Sequence, residues 1–439
     1  MVSYGIIPQY FSNARKFSLF LGGIFTIIGE KAGECMVIGI IGAGASGMAA
    51  ALAASENPNV NVILMDRQNR VGRKLQATGN GRCNLSNMNA SRGGYHGEQP
   101  DFVLPAIGAM NPDATLKWFR DLGLYTVVEP SGKVYPYSDQ ANSVVDVLRL
   151  NLNRPNITLK LGFEAEKIQK NECGFSVIGS DETVSCDKLI IACGGLAGSK
   201  LGGTMSGYKL LGKLGHKATR LRPSLVQIKT GWGGIAGLKG VRANCHVQIM
   251  RDSELFSEST GELQLTEQGI SGPVVFEISR DVCYGGGEWT AKLDFLPDWS
   301  RDNLYEALLQ RRNSNLPMED LLTGILHNRL GRVLCKTAGI KGKTYAKELS
   351  NAEAEEVCRA VKSLEIALTE PLGMDSAQVT AGGVLTEQFD AATMESRLVP
   401  GLYACGEVLD IDGDCGGYNL QWAWSSGCLA GYNAGKDAK

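Results

Sequence analysis

Three glycines and one acid are the residues whose spacing first suggests chemistry. Gly42, Gly44 and Gly47 fill the pattern G-x-G-x-x-G, with Ala45 and Ser46 inside it. Gly42 permits a tight turn, and Gly47 lets a helix sit close to a strand. Gly44 leaves room for a pyrophosphate that a Cβ would strike. A helix opening at that turn offers unpaired N–H groups and a partial positive charge to phosphates. Asp66 stands where an acid accepts a hydrogen bond from a ribose hydroxyl. The chemistry implied is the holding of an adenine dinucleotide.

The elements that must position these residues are readable on either side. Residues 37–41 are a short apolar run rich in Ile and Val, which reads as a buried strand. Residues 48–54 are Ala-rich and read as a helix, ended by Asn57-Pro58-Asn59. Residues 60–65 read as a second strand that delivers Asp66. A bare G-x-G-x-x-G means little in a chain with 55 glycines. Strand, turn, helix, strand and acid in that order give the motif its specificity.

The 439 residues predict two or three domains. A net charge of −2 argues against a general nucleic-acid binder. The charge is unevenly placed, with eleven Lys or Arg and no acid from Lys188 to Arg251. Eight acids and one base run from Asp375 to Asp414. Two solvated faces attracting each other across a domain boundary would account for this. So would a basic wall that draws in an anionic substrate or nucleotide donor. Twelve scattered cysteines without C-x-x-C spacing exclude a zinc ribbon and a dithiol-exchange site, and predict a reducing, cytoplasmic setting. His96, His216, His246 and His327 lie far apart and predict no metal site.

Residues 17–28 are apolar behind Arg15 and Lys16, but twelve residues are too few to span a bilayer. No stable membrane insertion is expected. Met36 opens the first strand, so residues 1–35 read as a leader or a mis-assigned start.

After Asp66 and Arg67 comes a Gly- and Asn-rich loop that can wrap a flavin and its phosphates. Within it, Gly72-Arg73-Lys74-Leu75 and Thr78-Gly79-Asn80-Gly81-Arg82-Cys83-Asn84 resemble the signature of the BaiN/RdsA family. These are NAD(P)/FAD-dependent, YhiN-like oxidoreductases, some known as aminoacetone oxidases. The likeness runs from Met36 onward and recurs at residues 133–141, 261–273 and 401–427.

The resemblance implies an α/β fold. A Rossmann-like FAD-binding domain of the two-dinucleotide-fold flavoprotein type is split by an inserted β-barrel-like unit and a helical unit. The expected domains are 36–196 plus 375–439 for FAD, 197–298 for an antiparallel β domain, and 299–374 for a helical subdomain. Ser350-Asn351-Ala352-Glu353 predicts a capping box within the last. Residues 157–178 read as strands of a smaller sheet. Cys193-Gly194-Gly195 follows a buried strand and passes the FAD, with Cys193 where such proteins usually carry Thr. Gly406 and Glu407 would hold the ribitol. Asp414, Gly417, Asn419 and Leu420 would close the site, with a helix N-terminus aimed at the flavin pyrimidine. Cys83, Tyr135, Tyr137 and Tyr418 sit in family motifs and can donate protons.

The resemblance further implies transfer of electrons from NAD(P)H through FAD to an activated C=C of a small molecule, such as an unsaturated 3-oxo steroid or bile acid intermediate. An oxidase of a small amine or carbonyl compound that makes hydrogen peroxide is the alternative. A non-catalytic FAD-binding protein is a third. A tRNA-modifying flavoprotein fits the near-neutral charge least well.

Overall fold

The computed structural model describes residues 35–340 and 344–438. The expected leader therefore lies, but for Cys35, outside the described residues. The chain divides into two compact units, residues up to Leu221 with Thr380–Lys439, and Arg222–Val379. Residues 197–221 belong to the first unit, whereas the sequence places them in the insertion. Tyr208, on the helix Ser206–Lys213, accounts for this: its hydroxyl donates to the Glu407 carbonyl at 3.4 Å.

The first unit is built on a five-stranded parallel sheet. Its order is Leu402–Ala404, Lys188–Ile191, Met36–Ile41, Val60–Asp66 and Ile157–Leu161. The central strands are apolar on both faces, as a sheet covered on both sides requires. The Ile157–Leu161 strand joins this sheet in parallel with Val60–Asp66, rather than the smaller sheet expected for residues 157–178. Only Lys167–Asn171, Gly174–Ile178 and Thr183–Cys186 form the smaller sheet. The sequence hid the split because the same polar alternation runs through both parts.

Two helices pack against each other beside the sheet. The first, Ala45–Ala54, follows the glycine turn, and the second, Tyr418–Gly435, ends the unit. Gly427, Gly431 and Gly435 recur every four residues and form one face of the second helix. A Cβ on Gly427 would lie 2.3 Å from the Ser46 carbonyl oxygen, and one on Gly431 2.2 Å from that of Ala50. At Gly435 the nearest atom is the Ala54 carbonyl oxygen at 3.3 Å. The partner numbers rise together, so the two helices run parallel and their N-termini face the same way.

The helix Pro112–Asp121 is capped by the Asn111 side chain, which accepts from the Ala114 amide at 2.9 Å.

The second unit holds a closed six-stranded barrel with helices. Its strands, in order around the barrel, are Ile228–Thr230, Gly269–Ser271, Glu254–Leu265, Arg242–Arg251, Trp289–Asp294 and Leu364–Pro371. The last of these lies inside the segment 299–374 expected to be a helical subdomain, and it corrects that expectation. Leu364, Ile366 and Leu368 alternate inward and complete the barrel core. The capping box forms as read, with Ser350 and Glu353 bonded reciprocally to each other's backbone amides.

Gly431→Leu must push the two helices apart, at a cost of about 3 kcal/mol or more. The expected outcome is a lower melting temperature by calorimetry, with weaker FAD retention. Gly212 lies in a helix with no atom within 4 Å of its Cβ position, so Gly212→Ala is expected to raise stability slightly.

Candidate active site

The turn after the first strand is built as its glycines require. Gly42 has φ +109°, and a Cβ there would lie 2.3 Å from the Ala192 carbonyl oxygen. On Gly47 a Cβ would lie 1.7 Å from the Gly42 carbonyl oxygen. Gly44 differs, because no protein atom lies within 4 Å of its Cβ position. Gly194, with φ +69°, also faces open space. The helix beginning at Ala45 has no side-chain cap and no acid in its first turn. Its first N–H groups are therefore offered to that space. The C-terminal helix likewise starts after Gly417 without a side-chain cap or an early acid. Tyr418 lies nine residues before Gly427, so this second positive end projects about 13 Å beyond the contact with Ser46.

Asp66 clamps the glycine turn. Its Oδ2 accepts from the Ala43 amide at 2.6 Å and its Oδ1 from the Gln68 amide at 2.7 Å. Burial pushes its pKa above the ordinary carboxylate range, opposed by those amides and by Arg67. Arg67 donates to the Gly202 and Gly203 carbonyls, and Arg73 to Gln68 Oε1 at 2.5 Å.

Further along, Lys74 pairs with Glu407 at 2.9 Å, and Glu407 Oε1 accepts from the Thr380 amide at 2.8 Å. A Cβ on Gly195 would stand 2.4 Å from Glu407 Oε1, so this glycine is fixed by the pair. Ser46 Oγ would lie 2.5 Å from a Cβ on Gly406, which has φ +75°. The turn at the head of the first helix and the turn after Leu402–Ala404 are thus in contact.

In the loop, Gly79, Asn80, Gly81 and Cys83 all have positive φ, and Thr78 donates to the Leu75 carbonyl. Asn84 Oδ1 accepts from the Val134 amide at 3.3 Å. Arg82, expected among the cofactor contacts, is taken up by Asp139 at 2.5 Å and Glu129 at 3.1 Å, and lies over the Tyr135 ring. Cys193 donates its thiol to the Ile41 carbonyl at 3.6 Å, and burial pushes that thiol up to about 12.

The four expected proton donors are placed differently from one another. Cys83 is wholly buried, and burial pushes its thiol up to about 12. Tyr137 is 78% exposed. Tyr418 donates to the Asn89 carbonyl at 3.4 Å, and its ring packs edge-on against Tyr95. Tyr135 is buried beneath Arg82, and burial raises its pKa.

One arrangement escaped the sequence reading. His96 Nε2 lies 2.7 Å from Asp414 Oδ1. The pair forms because Tyr95–His96 runs antiparallel to Asp412–Gly413, far away in the chain. Asn419 brackets that turn, accepting from the Gly413 amide and donating to the Gly413 carbonyl at 2.7 Å. Leu420 is half-buried at the start of the helix.

Residues 36–433 match the family described as HI0933-like protein Rossmann domain. The chain belongs to this family. It is 39% identical to the 3-dehydro-bile acid delta(4,6)-reductase of Clostridium scindens, over 90% of this chain and 98% of that protein. It is 32% identical to the ribosomal RNA dihydrouridine synthase of Escherichia coli, over 88% of this chain and 95% of that protein. The Haemophilus influenzae protein of the same name is 28% identical, with 88% and 95% covered. The resemblance to the BaiN/RdsA family is thereby shown.

The two glycines of the turn separate fold from cofactor. Gly47→Ala is expected to abolish soluble protein, since its Cβ meets backbone. Gly44→Val is expected to leave the unfolding free energy of the cofactor-stripped protein within about 1 kcal/mol of the unchanged chain, while flavin absorbance in the purified protein is lost.

Proposed function

We propose that the protein is an FAD-dependent reductase of a C=C bond conjugated to a carbonyl, with NADH or NADPH as electron donor. The observation that carries this reading is the full-length identity of 39% to a 3-dehydro-bile acid delta(4,6)-reductase. The name of the second relative points to the same bond type. Dihydrouridine is uridine with its ring C=C reduced, and that bond is conjugated to a ring carbonyl. Hydride addition to an electron-poor alkene is common to both.

The residues fit FAD. The open space beside Gly44 and Gly194, faced by an uncapped helix start, suits a pyrophosphate. Residues 42–47 would hold the phosphates, with Asp66 and Arg67 toward the adenosine. Lys74, the loop 78–84 and residues 193–195 would line the middle. Gly406 and Glu407 would meet the ribitol, and Asp414, Gly417, Asn419 and Leu420 the ring. Bound FAD supplies a two-electron carrier that passes hydride from the nucleotide to the alkene. The chain supplies placement and charge. The N-terminus of the C-terminal helix stabilises negative charge that develops on the ring side. The Lys74–Glu407 pair fixes the two loops that meet around Gly195.

The substrate we favour is a small organic enone, with an unsaturated 3-oxo steroid as the specific case. The near-neutral net charge favours it over an RNA. Anaerobic mixing of the flavin-loaded protein with NADH or NADPH is expected to bleach the flavin, and a 4-en-3-one steroid is expected to restore its colour. Restoration only by uridine-containing RNA would redirect the reading to the second relative's substrate. Recolouring by oxygen alone, with peroxide formed, would favour an oxidase. A flavin inert to every reagent would favour a non-catalytic role.

A further inference from the structure

We propose that His96, oriented by Asp414, is the acid that protonates the α-carbon in this reduction; the assignment rests on the reductase reading. The histidine and the carboxylate are brought together by the fold alone. In the two-strand ladder His96 stands opposite Asp412, and Asp414, two residues on, reaches the ring at 2.7 Å. Both partners are held by backbone. The Asp414 amide donates to the Gly94 carbonyl at 2.9 Å, and Asn419 fixes the turn from the other side. That turn leads through Gly416 and Gly417 into the positive end of the C-terminal helix.

Exposure separates this pair from its neighbours. The His96 and Asp414 side chains are 34% and 43% exposed, whereas Asp410 and Asp412 are buried. An acid that turns over must exchange its proton with solvent, which the enclosed Cys83 cannot do. Tyr135 is covered by Arg82, whose own charge is held by Asp139 and Glu129. The acid is the imidazolium form: Nε2–H donates to Asp414, Nδ1–H is the proton transferred, and the ring is left as the neutral imidazole.

The step balances. Hydride bonds to the β-carbon, the C=C electron pair moves to make an enolate, and the proton on His96 Nδ1 bonds to the α-carbon as the carbonyl reforms. The product gains two electrons and two hydrogens. The nucleotide is oxidised, and His96 regains its proton from water.

The flavin-loaded His96→Ala, His96→Gln and Tyr135→Phe proteins separate the possibilities. His96→Ala is expected to keep its FAD and to bleach normally with NAD(P)H, while anaerobic recolouring by a 4-en-3-one steroid slows about 10²- to 10⁴-fold. His96→Gln is expected to behave alike, and free imidazole to restore part of the rate in His96→Ala. A purely structural histidine would show no such rescue. Unchanged recolouring in both His96 variants, or its loss in Tyr135→Phe alone, overturns the assignment. An unchanged chain that bleaches but is recoloured by no enone overturns the reductase reading, and the assignment with it.

Discussion

The contact between two parallel helices through backbone atoms is the constraint on which the rest of the first unit depends. Gly427 and Gly431 bring the C-terminal helix against the carbonyls of Ser46 and Ala50. At that distance no side chain can intervene, so neither helix can slide without a clash. The register fixes where each N-terminus lies. One positive end stands at the glycine turn, and the other projects about 13 Å further the same way. Both helix starts, aimed in one direction, lack a side-chain cap and an acid in the first turn. They suit an elongated ligand with an anionic middle and an electron-accepting end.

Buried polar bonds hold the second helix at its far end. Gln421 is fully buried; it accepts from Ser86 at 2.6 Å and donates to the Met110 carbonyl at 2.8 Å. Trp422 donates to the Gly406 carbonyl at 3.2 Å, and Trp424 to that of Leu85 at 2.9 Å. A buried polar group is costly unless paired, so these bonds select one orientation of the helix. They also tie the helix start to the Gly406 turn and to the loop after Cys83. The three segments expected around the cofactor are therefore one mechanical assembly.

Local chemistry was the legible part of the sequence. The glycine turn and the Ser350–Glu353 box each depend on residues a few positions apart, and each stands where spacing put it. Long-range pairing was much less legible. The strand Leu364–Pro371 follows directly on a helix and looks continuous with it until its barrel partner is known. Nothing local says that the Asp66 carboxylate takes the Ala43 amide. His96 and Asp414 are separated by most of the unit, and His96 lacks any motif of its own. The two-residue ladder that joins them is too short to leave a pattern.

Charge in this site is arranged differently from what residue types alone suggest. The sequence concentrates Arg67, Arg73, Lys74 and Arg82 near the glycine-rich loop, as if cations were to meet phosphates. Each of the four has a protein partner instead: carbonyls for Arg67, Gln68 for Arg73, Glu407 for Lys74, and two carboxylates for Arg82. Lys74 and Arg82, paired with carboxylates, contribute little net field, whereas Arg67 and Arg73 keep their charge but are tethered to neutral oxygens. Oriented N–H groups at two helix starts add a positive potential that is fixed by packing and cannot swing away. A site polarised by backbone needs its helices held rigidly, which returns the burden to the glycines of the helix contact. The side-chain cations are then free to serve as struts, joining the loops that the helices alone cannot reach.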